Sequence, residues 1–320
     1  MTRLKTLAAV ALLGLATLAQ AAFPDKPVKI LIGFPPGGPL DAHARLLADR
    51  LGQVLGQPVI IDYKAGAGGS VGAEFVAKSA PDGYTLLMAN TGTMVINPAV
   101  YTKLGYQTLK DFAPVARTAQ QPLALVVNPA VPAKSVQELV ALAKARPGQL
   151  NYGSAGNGGI SHLVPEMFKT ATGTYIVHIP DRGSAPAFTD LLAGQVQVMA
   201  ESIPQASQYV KQGKLRALAV TGRDRNAALP DTPTFAEAGI QGLDVVGFYG
   251  VLAPAGTPKD VVAKLSDAFG QTLNTPEIRA RMVQQGADPA FMPADTFAAY
   301  LAAQLPVWAK AVKDSGTKLD

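Results

Sequence analysis

The sequence has no cysteine among its 320 residues, and it is poor in charged and aromatic side chains. Without cysteine, disulfides, thiolate metal sites, cysteine nucleophiles and lipid attachment at a processed cysteine are excluded. Charged residues make up 16% of the chain, the formal net charge is +5, and basic residues form no long run. Because nucleic-acid binding requires clustered Lys and Arg, usually with aromatic platforms, we expect no nucleic-acid partner.

Long apolar runs are also scarce, and the notable one is near the N-terminus. Arg3 and Lys5 precede the apolar run 6–18, and residues 19–21 (AQA) have the small-x-small pattern of a signal-peptide cleavage site. The run is shorter than the ~20 residues that a membrane span needs. We therefore interpret residues 1–22 as a signal peptide that is removed on export, with a retained anchor as the alternative.

What the sequence does contain is a regular alternation of short apolar strands and helical patterns. Several strands are rich in Val and Ile, such as 58–63 (PVIIDY) and 123–129 (LALVVNP). This alternation predicts parallel βαβ units, and therefore an α/β fold with open, mainly parallel sheets flanked by helices. Roughly 300 residues after the signal peptide exceed what one compact core usually organises, which indicates two lobes.

Two predicted helices have specific features. Ser135 followed by Glu138 has the spacing of a capping box, which predicts a helix from Ser135 to about residue 145. Helical patterns dominate from residue 258 onward, and the last of them, 293–313, contains the single tryptophan. We interpret this residue, Trp308, as part of the core.

The segment 28–50 carries the clearest functional signal. An apolar strand runs into a Gly/Pro turn and then into a helix whose Leu40, Ala44 and Leu47 recur at spacings of three to four. The N-terminus of such a helix directs unpaired N–H groups beyond the end of the strand. This arrangement favours a bound anion, such as a carboxylate or a phosphate.

Loops rich in Gly and Ser follow predicted strands in both halves of the chain. They lie at 34–41, 65–72, 90–93, 153–161, 180–185 and 201–207. In open parallel sheets, ligands bind beyond the carboxyl ends of the strands. Two lobes that each present such loops therefore predict a ligand cleft between them.

Cofactor motifs are incomplete. The Gly-rich segment 64–74 has Val71 where a dinucleotide fingerprint needs its third glycine, and no Gly-Lys-Ser/Thr follows. His43, His162 and His178 lack the spacing of metal ligands, so we expect neither a metal nor another cofactor. We expect His43 on a helix surface and His178 in the core.

A hydrolase is the enzymatic alternative. Ser154 and His162 could act as nucleophile and base, although the chain has no G-x-S-x-G elbow there. The simpler interpretation is that Ser154, Asn157 and Ser161 donate hydrogen bonds to a bound anion. We therefore predict a binding protein and not an enzyme.

Eight segments together carry a family resemblance. In chain order they are FPDKPVKILIGFPPGGPLD, QPVIIDYKAGAGGSVGAE, APDGYTLLMANTGT, KDFAPVA, LNYGSAGNGGISHL, GKLRALAVTG, ALPDTPTFAEAG and GVLAPAGTPKD. From residue 23 to about 315 the chain resembles the periplasmic receptors of tripartite tricarboxylate transporters, the Bug receptor family. The resemblance implies a clamshell with the two-lobed periplasmic-binding-protein (Venus flytrap) fold. It would close on a small carboxylate and deliver it to membrane permease subunits.

The resemblance also sets the expected organisation. Residues 23–122 plus 246–320 would form the first lobe and residues 123–245 the second, with crossings near Pro122 and Val245. We expect a monomer in the periplasm. A receptor that reports ligand to a signalling partner is the alternative to a transport role.

In this family, the ligand carboxylate is held by backbone N–H groups, hydroxyls and waters, in loops that match 34–41 and 153–161. This chain departs from the usual pattern at Pro39-Leu40 and at Asp181-Arg182. Arg182 could contact a ligand carboxylate or only pair with Asp181. Asp181 could pair with a ligand amine. The ligand could therefore be an aliphatic acid, an aromatic acid or an amino acid. The predicted ligand-binding residues are Phe34, Pro36, Gly37, Gly38, Leu40, Gly68, Thr91, Thr93, Ser154, Gly156, Asn157, Ser161, His162, Asp181, Arg182, Gly183 and Glu201.

Overall fold

The computed structural model describes residues 23–285 and 287–318, so the expected signal peptide, 1–22, lies outside the described residues. The strands are β1 (Val28–Ile32), β2 (Val59–Tyr63), β3 (Thr85–Asn90), β4 (Phe112–Gln121), β5 (Leu123–Val127), β6 (Asn151–Ser154), β7 (Val177–Pro180), β8 (Val198–Ser202), β9 (Arg216–Val220), β10 (Gly247–Pro254) and β11 (Asp288–Pro293). The helices are α1 (Pro39–Leu55), α2 (Ser70–Ala77), α3 (Asn97–Val100), α4 (Thr108–Asp111), α5 (Val136–Ala145), α6 (Ile160–Thr172), α7 (Ser184–Ala193), α8 (Ile203–Lys211), α9 (Lys259–Leu273), α10 (Pro276–Gln285) and α11 (Ala294–Ser315). A short 3₁₀ turn, Ala67–Gly69, precedes α2, and a π-helical turn, Gly92–Ile96, precedes α3.

The strands form two mixed sheets. The first sheet has the order β11-β4-β10-β3-β1-β2, and the second has the order β7-β6-β8-β5-β9. In the first sheet β1 pairs in parallel with β2 and β3, whereas β10 runs antiparallel to β3 and β4, and β11 runs antiparallel to β4. In the second sheet β6 pairs in parallel with β7 and β8, and β5 runs antiparallel to β8 and β9.

The predicted α/β class is confirmed, but the sheets are less parallel than we expected. The antiparallel pairs are made by the strands next to the crossings between the sheets, β4, β5 and β10, together with β11. The direction of such a strand depends on where the chain enters or re-enters a sheet. A local βαβ pattern does not contain that information.

Helix α5 begins as its sequence predicts. Ser135 is its N-cap, and the side chain of Ser135 accepts a hydrogen bond from the Glu138 N–H at 3.2 Å. The Glu138 carboxylate in turn accepts a hydrogen bond from the Lys134 N–H at 2.6 Å. The capping-box prediction is confirmed, although the returning hydrogen bond reaches one residue further back than in the usual motif.

Helix α11 joins the cores of the two sheets. It packs against β4 of the first sheet and against α6, beside the second sheet. Trp308 and Phe297 are fully buried in one apolar cluster with Phe168 of α6 and Leu125 of β5. The prediction that Trp308 is a core residue is confirmed. In the described part of the chain, no helix combines the length and the apolar character needed to cross a membrane.

The chain crosses between the sheets twice. β4 continues through Pro122 into β5, and the segment that follows β9 returns to the first sheet at Gly247. Neighbouring residues of the crossings face different spaces: Gln121 and Gly247 line one cavity, whereas Pro122 and Val246 line another. We call the first space the front cavity and the second the rear groove. The two predicted lobe boundaries stay a prediction.

Candidate functional site

The front cavity is the candidate site. Its volume is about 460 Å³, within the range of about 300–1,000 Å³ that is typical of small-molecule sites. Both sheets and their loops contribute to its wall, which consists of Phe34, Pro39, Gly68, Asn90, Thr91, Gly92, Asn97, Tyr101, Gln121, Leu123, Ala155, Asn157, Gly158, Gly159, Ile160, Ser161, Ser184, Glu201, Ser202, Gln205, Gly247 and Tyr249. Among the residues that the structure describes, no Lys, Arg or His lines this cavity.

The predicted site residues divide into two groups. Those in the wall of the front cavity are Phe34, Gly68, Thr91, Asn157, Ser161 and Glu201. Those outside its wall are Pro36, Gly37, Gly38, Leu40, Thr93, Ser154, Gly156, His162, Asp181, Arg182 and Gly183. Contact of either group with a ligand stays a prediction.

Four helices begin at the wall of the front cavity. Pro39 starts α1, Ile160 starts α6, Ser184 starts α7, and Ser202 is the N-cap of α8. In none of these four helices does the N-cap side chain hydrogen-bond to the first turn. Helix N-termini of this kind combine unpaired N–H donors with the positive end of the helix dipole, which favours anions.

The turn before α1 has its own internal acceptor. Gly37, with a φ of +88°, donates its N–H to the Asp41 carboxylate at 2.7 Å. Asp41 also accepts hydrogen bonds from the Arg45 side chain at 2.8 Å and from the Tyr63 hydroxyl at 2.7 Å. Pro36 and Gly37 are exposed, and Leu40 is buried in the core. Asp41 therefore braces this turn, and one donor of the predicted anion site is already satisfied.

Close backbone packing holds the 3₁₀ turn against β1. A Cβ at Gly33 would lie 2.5 Å from the Gly69 carbonyl oxygen, so only glycine fits there. The Gly68 carbonyl accepts hydrogen bonds from the Thr93 hydroxyl at 3.2 Å and from the Asn97 amide at 3.0 Å. Thr93 is buried beneath the turn, and Gly68 stays in the wall.

The loop before α6 satisfies part of its own backbone. Ser161 Oγ accepts from the Ala155 N–H at 3.0 Å, and His162 Nδ1 accepts from the Gly158 N–H at 3.1 Å. Among the described residues, the N–H groups that follow have no acceptor; they belong to Gly159, Ile160 and Ser161. These donors lie at the start of α6, and all three residues line the front cavity.

The hydrolase geometry that the sequence suggested is not formed. Ser154 is fully buried, and its hydroxyl lies 2.6 Å from Nε2 of His178 rather than beside His162. The His162 and His178 rings stack on each other with centroids 4.0 Å apart, and His178 also stacks on Tyr152. Burial lowers the pKa of His162, and burial together with the neighbouring His162 and Lys169 lowers the pKa of His178 to about 4. This cluster supports the loop and is uncharged at neutral pH.

Asp181 and Arg182 do not form the ion pair that the sequence left open. Arg182 is exposed and makes no ion pair with any described residue. The Asp181 N–H donates to the Ser154 carbonyl at 3.0 Å, whereas Asp181 Oδ2 is buried without a hydrogen-bond partner among the described residues.

Glu201 is the one charged residue among the described residues of the cavity wall, and it is 7% exposed. Its carboxylate accepts hydrogen bonds from the Ser184 hydroxyl at 2.7 Å and from the Ser202 N–H at 2.8 Å. Burial raises the pKa of Glu201 above its usual value, although these two hydrogen bonds oppose the change. The cavity thus has an acceptor in one part of its wall and the unpaired N–H donors of α6 in another.

Several residues of the cavity wall were not predicted from the sequence, and Tyr249 is the clearest example. It lies in β10, a strand that is buried along its whole length. Burial raises the pKa of Tyr249 to about 12, so it stays a neutral phenol. His43, expected on a surface, packs against Tyr249 and is 2% exposed, so that prediction is wrong. His43 Nε2 bonds Thr118 at 2.9 Å, and burial lowers the pKa of His43 to about 3.

Comparison with known proteins decides the family. The family model described as "Tripartite tricarboxylate transporter family receptor" matches residues 43–317. The chain belongs to this family. The resemblance that the eight sequence segments carried is therefore confirmed, and the family and fold are those of solute receptors.

Relatives of this tripartite tricarboxylate receptor cover nearly its whole length. Protein BugT of Bordetella pertussis (strain Tohama I) is 36% identical over 312 residues, which are 97% of this chain and 96% of BugT. A Rhodopseudomonas palustris protein solved with adipate is 34% identical, with a TM-score of 0.81, and the match covers 93% of this chain and 100% of that one. MatC from Rhodopseudomonas palustris, solved with bound malate, is 32% identical, with a TM-score of 0.76, covering 91% and 100%.

Proposed function

We propose that this protein is a periplasmic receptor that captures a small organic acid in the front cavity and delivers it to membrane permease subunits of a tripartite tricarboxylate-type transporter. The two predicted lobes close on the ligand and release it unchanged. The signal-peptide pattern of residues 1–22 supports export and cleavage. N-terminal sequencing of the protein from the periplasm tests that part, with Ala22 or Phe23 as the expected first residue.

The unpaired N–H groups at the start of α6 carry the proposal. The donors of Gly159, Ile160 and Ser161 line a cavity of small-molecule size and have no acceptor among the described residues. A carboxylate would satisfy them at the positive end of the helix dipole. Small residues let the ligand approach the backbone closely, and waters can complete the remaining hydrogen bonds.

The relatives support a carboxylate ligand. The two Rhodopseudomonas palustris proteins were solved with adipate and malate, both of which are small organic acids. A transport role also fits the family. The receptor needs no catalytic group for it, and Ser154, the one nucleophile considered, is buried outside the cavity wall and hydrogen-bonded to His178.

Calorimetric titration of the ligand-stripped mature protein against organic acids tests the proposal. We expect at least one acid to bind, and we expect Gly159→Val to weaken its binding at least tenfold. Gly159 has an extended backbone, and its Cβ would meet no atom closer than 3.8 Å, so the fold should tolerate the larger side chain while the ligand should not. Thr170→Val, on the exposed distal part of α6, is the matched control.

Two results would contradict the proposal. One is an acid panel, spanning aliphatic, aromatic and amino acids, in which nothing binds to the stripped protein. The other is unchanged affinity in a folded Gly159→Val variant, which would remove the start of α6 from the site. Sedimentation of the same samples tests the expected monomer.

A further inference from the structure

The described wall of the front cavity has an acidic side chain but no basic one, which is unusual for a protein that binds anions. Its described wall contains no Lys, Arg or His, and it contains one carboxyl group, that of Glu201. A ligand carboxylate therefore meets no cationic side chain in this wall. It meets only neutral donors and one acidic group.

Glu201 forms hydrogen bonds with the residues at which two helices begin. It accepts hydrogen bonds from the Ser184 hydroxyl in the first residue of α7 and from the Ser202 N–H at the N-cap of α8. The Ser184 hydroxyl and the Ser202 N–H are thus already engaged by a carboxyl group of the protein. Repulsion disfavours a second carboxylate beside it, which leaves the start of α6 as the place for the ligand carboxylate.

The partners of Glu201 are neutral, and no described Lys, Arg or His lies within ion-pair distance of it. A buried carboxylate without a counter-charge is costly, and buried charges in proteins are normally paired. Since Glu201 lines the cavity, a ligand can supply the missing positive charge. The other titratable side chains in the described wall of this cavity are those of Tyr101 and Tyr249.

We propose that the ligand carries a protonated amine as well as a carboxylate, so that it is an amino acid in the broad sense, and that Glu201 binds the ammonium group. This inference rests on the proposed receptor function and narrows its ligand class. The N–H groups at the start of α6 bind the carboxylate, and Glu201 selects against acids that lack the amine. Glu201 is thus a specificity-determining residue.

Matched ligand pairs test the inference. Calorimetry compares aspartate with succinate, and γ-aminobutyrate with butyrate, on the full mature protein after ligand removal. In the wild type we expect the amine-bearing member of at least one pair to bind tenfold or more tightly than its partner. In Glu201→Gln, whose amide keeps the size and the hydrogen-bonding capacity of the side chain, that ratio should fall close to one.

The control is Glu237→Gln, which removes the same charge from an exposed position on the second sheet's side of the molecule and should leave the ratio unchanged. The inference is overturned if succinate and butyrate bind the wild type as tightly as their amine-bearing partners. It is also overturned if folded Glu201→Gln keeps the wild-type ratio. If Glu201→Gln does not fold, the ratio of the two affinities in the wild type tests the inference by itself. If no member of any pair binds and no other acid binds, the proposed receptor function is rejected instead.

Discussion

At the scale of single residues, Asp41 illustrates how the chain satisfies its own turn before any ligand arrives. Burial alone would raise the pKa of Asp41, but the Gly37 N–H, the Tyr63 hydroxyl and the Arg45 charge outweigh burial and leave the pKa below its usual value. The carboxylate form is therefore more stable in the folded chain than in the unfolded chain. The stability that it contributes is present above the unfolded pKa, near 3.8, and is lost as the pH falls through the folded value.

Asp41→Asn should consequently destabilise the protein in a pH-dependent way. We expect the free energy of unfolding to fall by about 1.5 kcal/mol at neutral pH, the value of one charge-assisted hydrogen bond. The difference from wild type should shrink as the pH falls through 3.8 and below, as the wild-type carboxylate becomes protonated. Urea unfolding at several pH values measures this, and the exposed Asp49→Asn on the same helix is the control. If the difference in the free energy of unfolding is the same at every pH, the Asp41 carboxylate does not stabilise the turn.

Single residues also mark the limit of what the sequence predicts about the site. Ser154 was assigned a possible base in His162, eight positions away, but its hydroxyl bonds His178. The two are brought together by the parallel pairing of β6 with β7, which places Ser154 opposite Pro180. A contact made by strand pairing has no fixed sequence separation, so the spacing of residues could not reveal it.

At the scale of elements, local patterns predicted helices better than strand directions. The predicted helix start at Ser135 agrees with the N-cap of α5, and the helical spacing of Leu40, Ala44 and Leu47 agrees with α1, because caps and apolar periodicity are local properties. The antiparallel direction of β10 was not predictable, because it follows from the route of the chain through the whole second sheet. Wall residues on β10, such as Tyr249, were missed for the same reason.

Helix α11 offers the element-scale prediction. Trp308 is fully buried where α11 packs between β4 and α6, so Trp308→Ala should lower the free energy of unfolding by about 3–5 kcal/mol. Val307 is 38% exposed on the same helix, and Val307→Ala should change stability by no more than about 0.5 kcal/mol. Thermal or urea unfolding compares the two variants. Similar losses in both would mean that α11 does not join the two cores through Trp308.

At the scale of the whole molecule, the rear groove contains a hydrogen bond between the two predicted lobes. Asn226 Nδ2 donates to the Asp288 carboxylate at 2.9 Å. Asn226 belongs to the predicted second lobe and Asp288 to β11 of the first sheet. If the lobes turn about the crossings, the front cavity narrows as the rear groove widens. The Asn226–Asp288 bond then opposes ligand capture.

Asn226→Ala should therefore tighten ligand binding. Removing a hydrogen bond worth about 0.5–1.5 kcal/mol corresponds to roughly a 2- to 10-fold lower Kd, mainly through slower dissociation. Titration and stopped-flow measurements with the best acid of the panel test this. Asp244→Asn is the control, because the Arg223–Asp244 pair, at 3.5 Å, lies wholly within the second predicted lobe. Weaker or unchanged binding in Asn226→Ala would contradict the idea that the bond in the rear groove opposes ligand binding in the front cavity.

Adjacent residues of the crossings line either the front cavity or the rear groove, and this separation of the two spaces has a practical consequence. Gln208 is exposed on α8 and lines the rear groove, on the far side of the crossings from the ligand-facing wall. Because the natural chain has no cysteine, Gln208→Cys would introduce a single thiol for attachment of an environment-sensitive dye. Widening of the groove on capture would then change the fluorescence without any contact between dye and ligand. The receptor would become an optical sensor that identifies its own ligand.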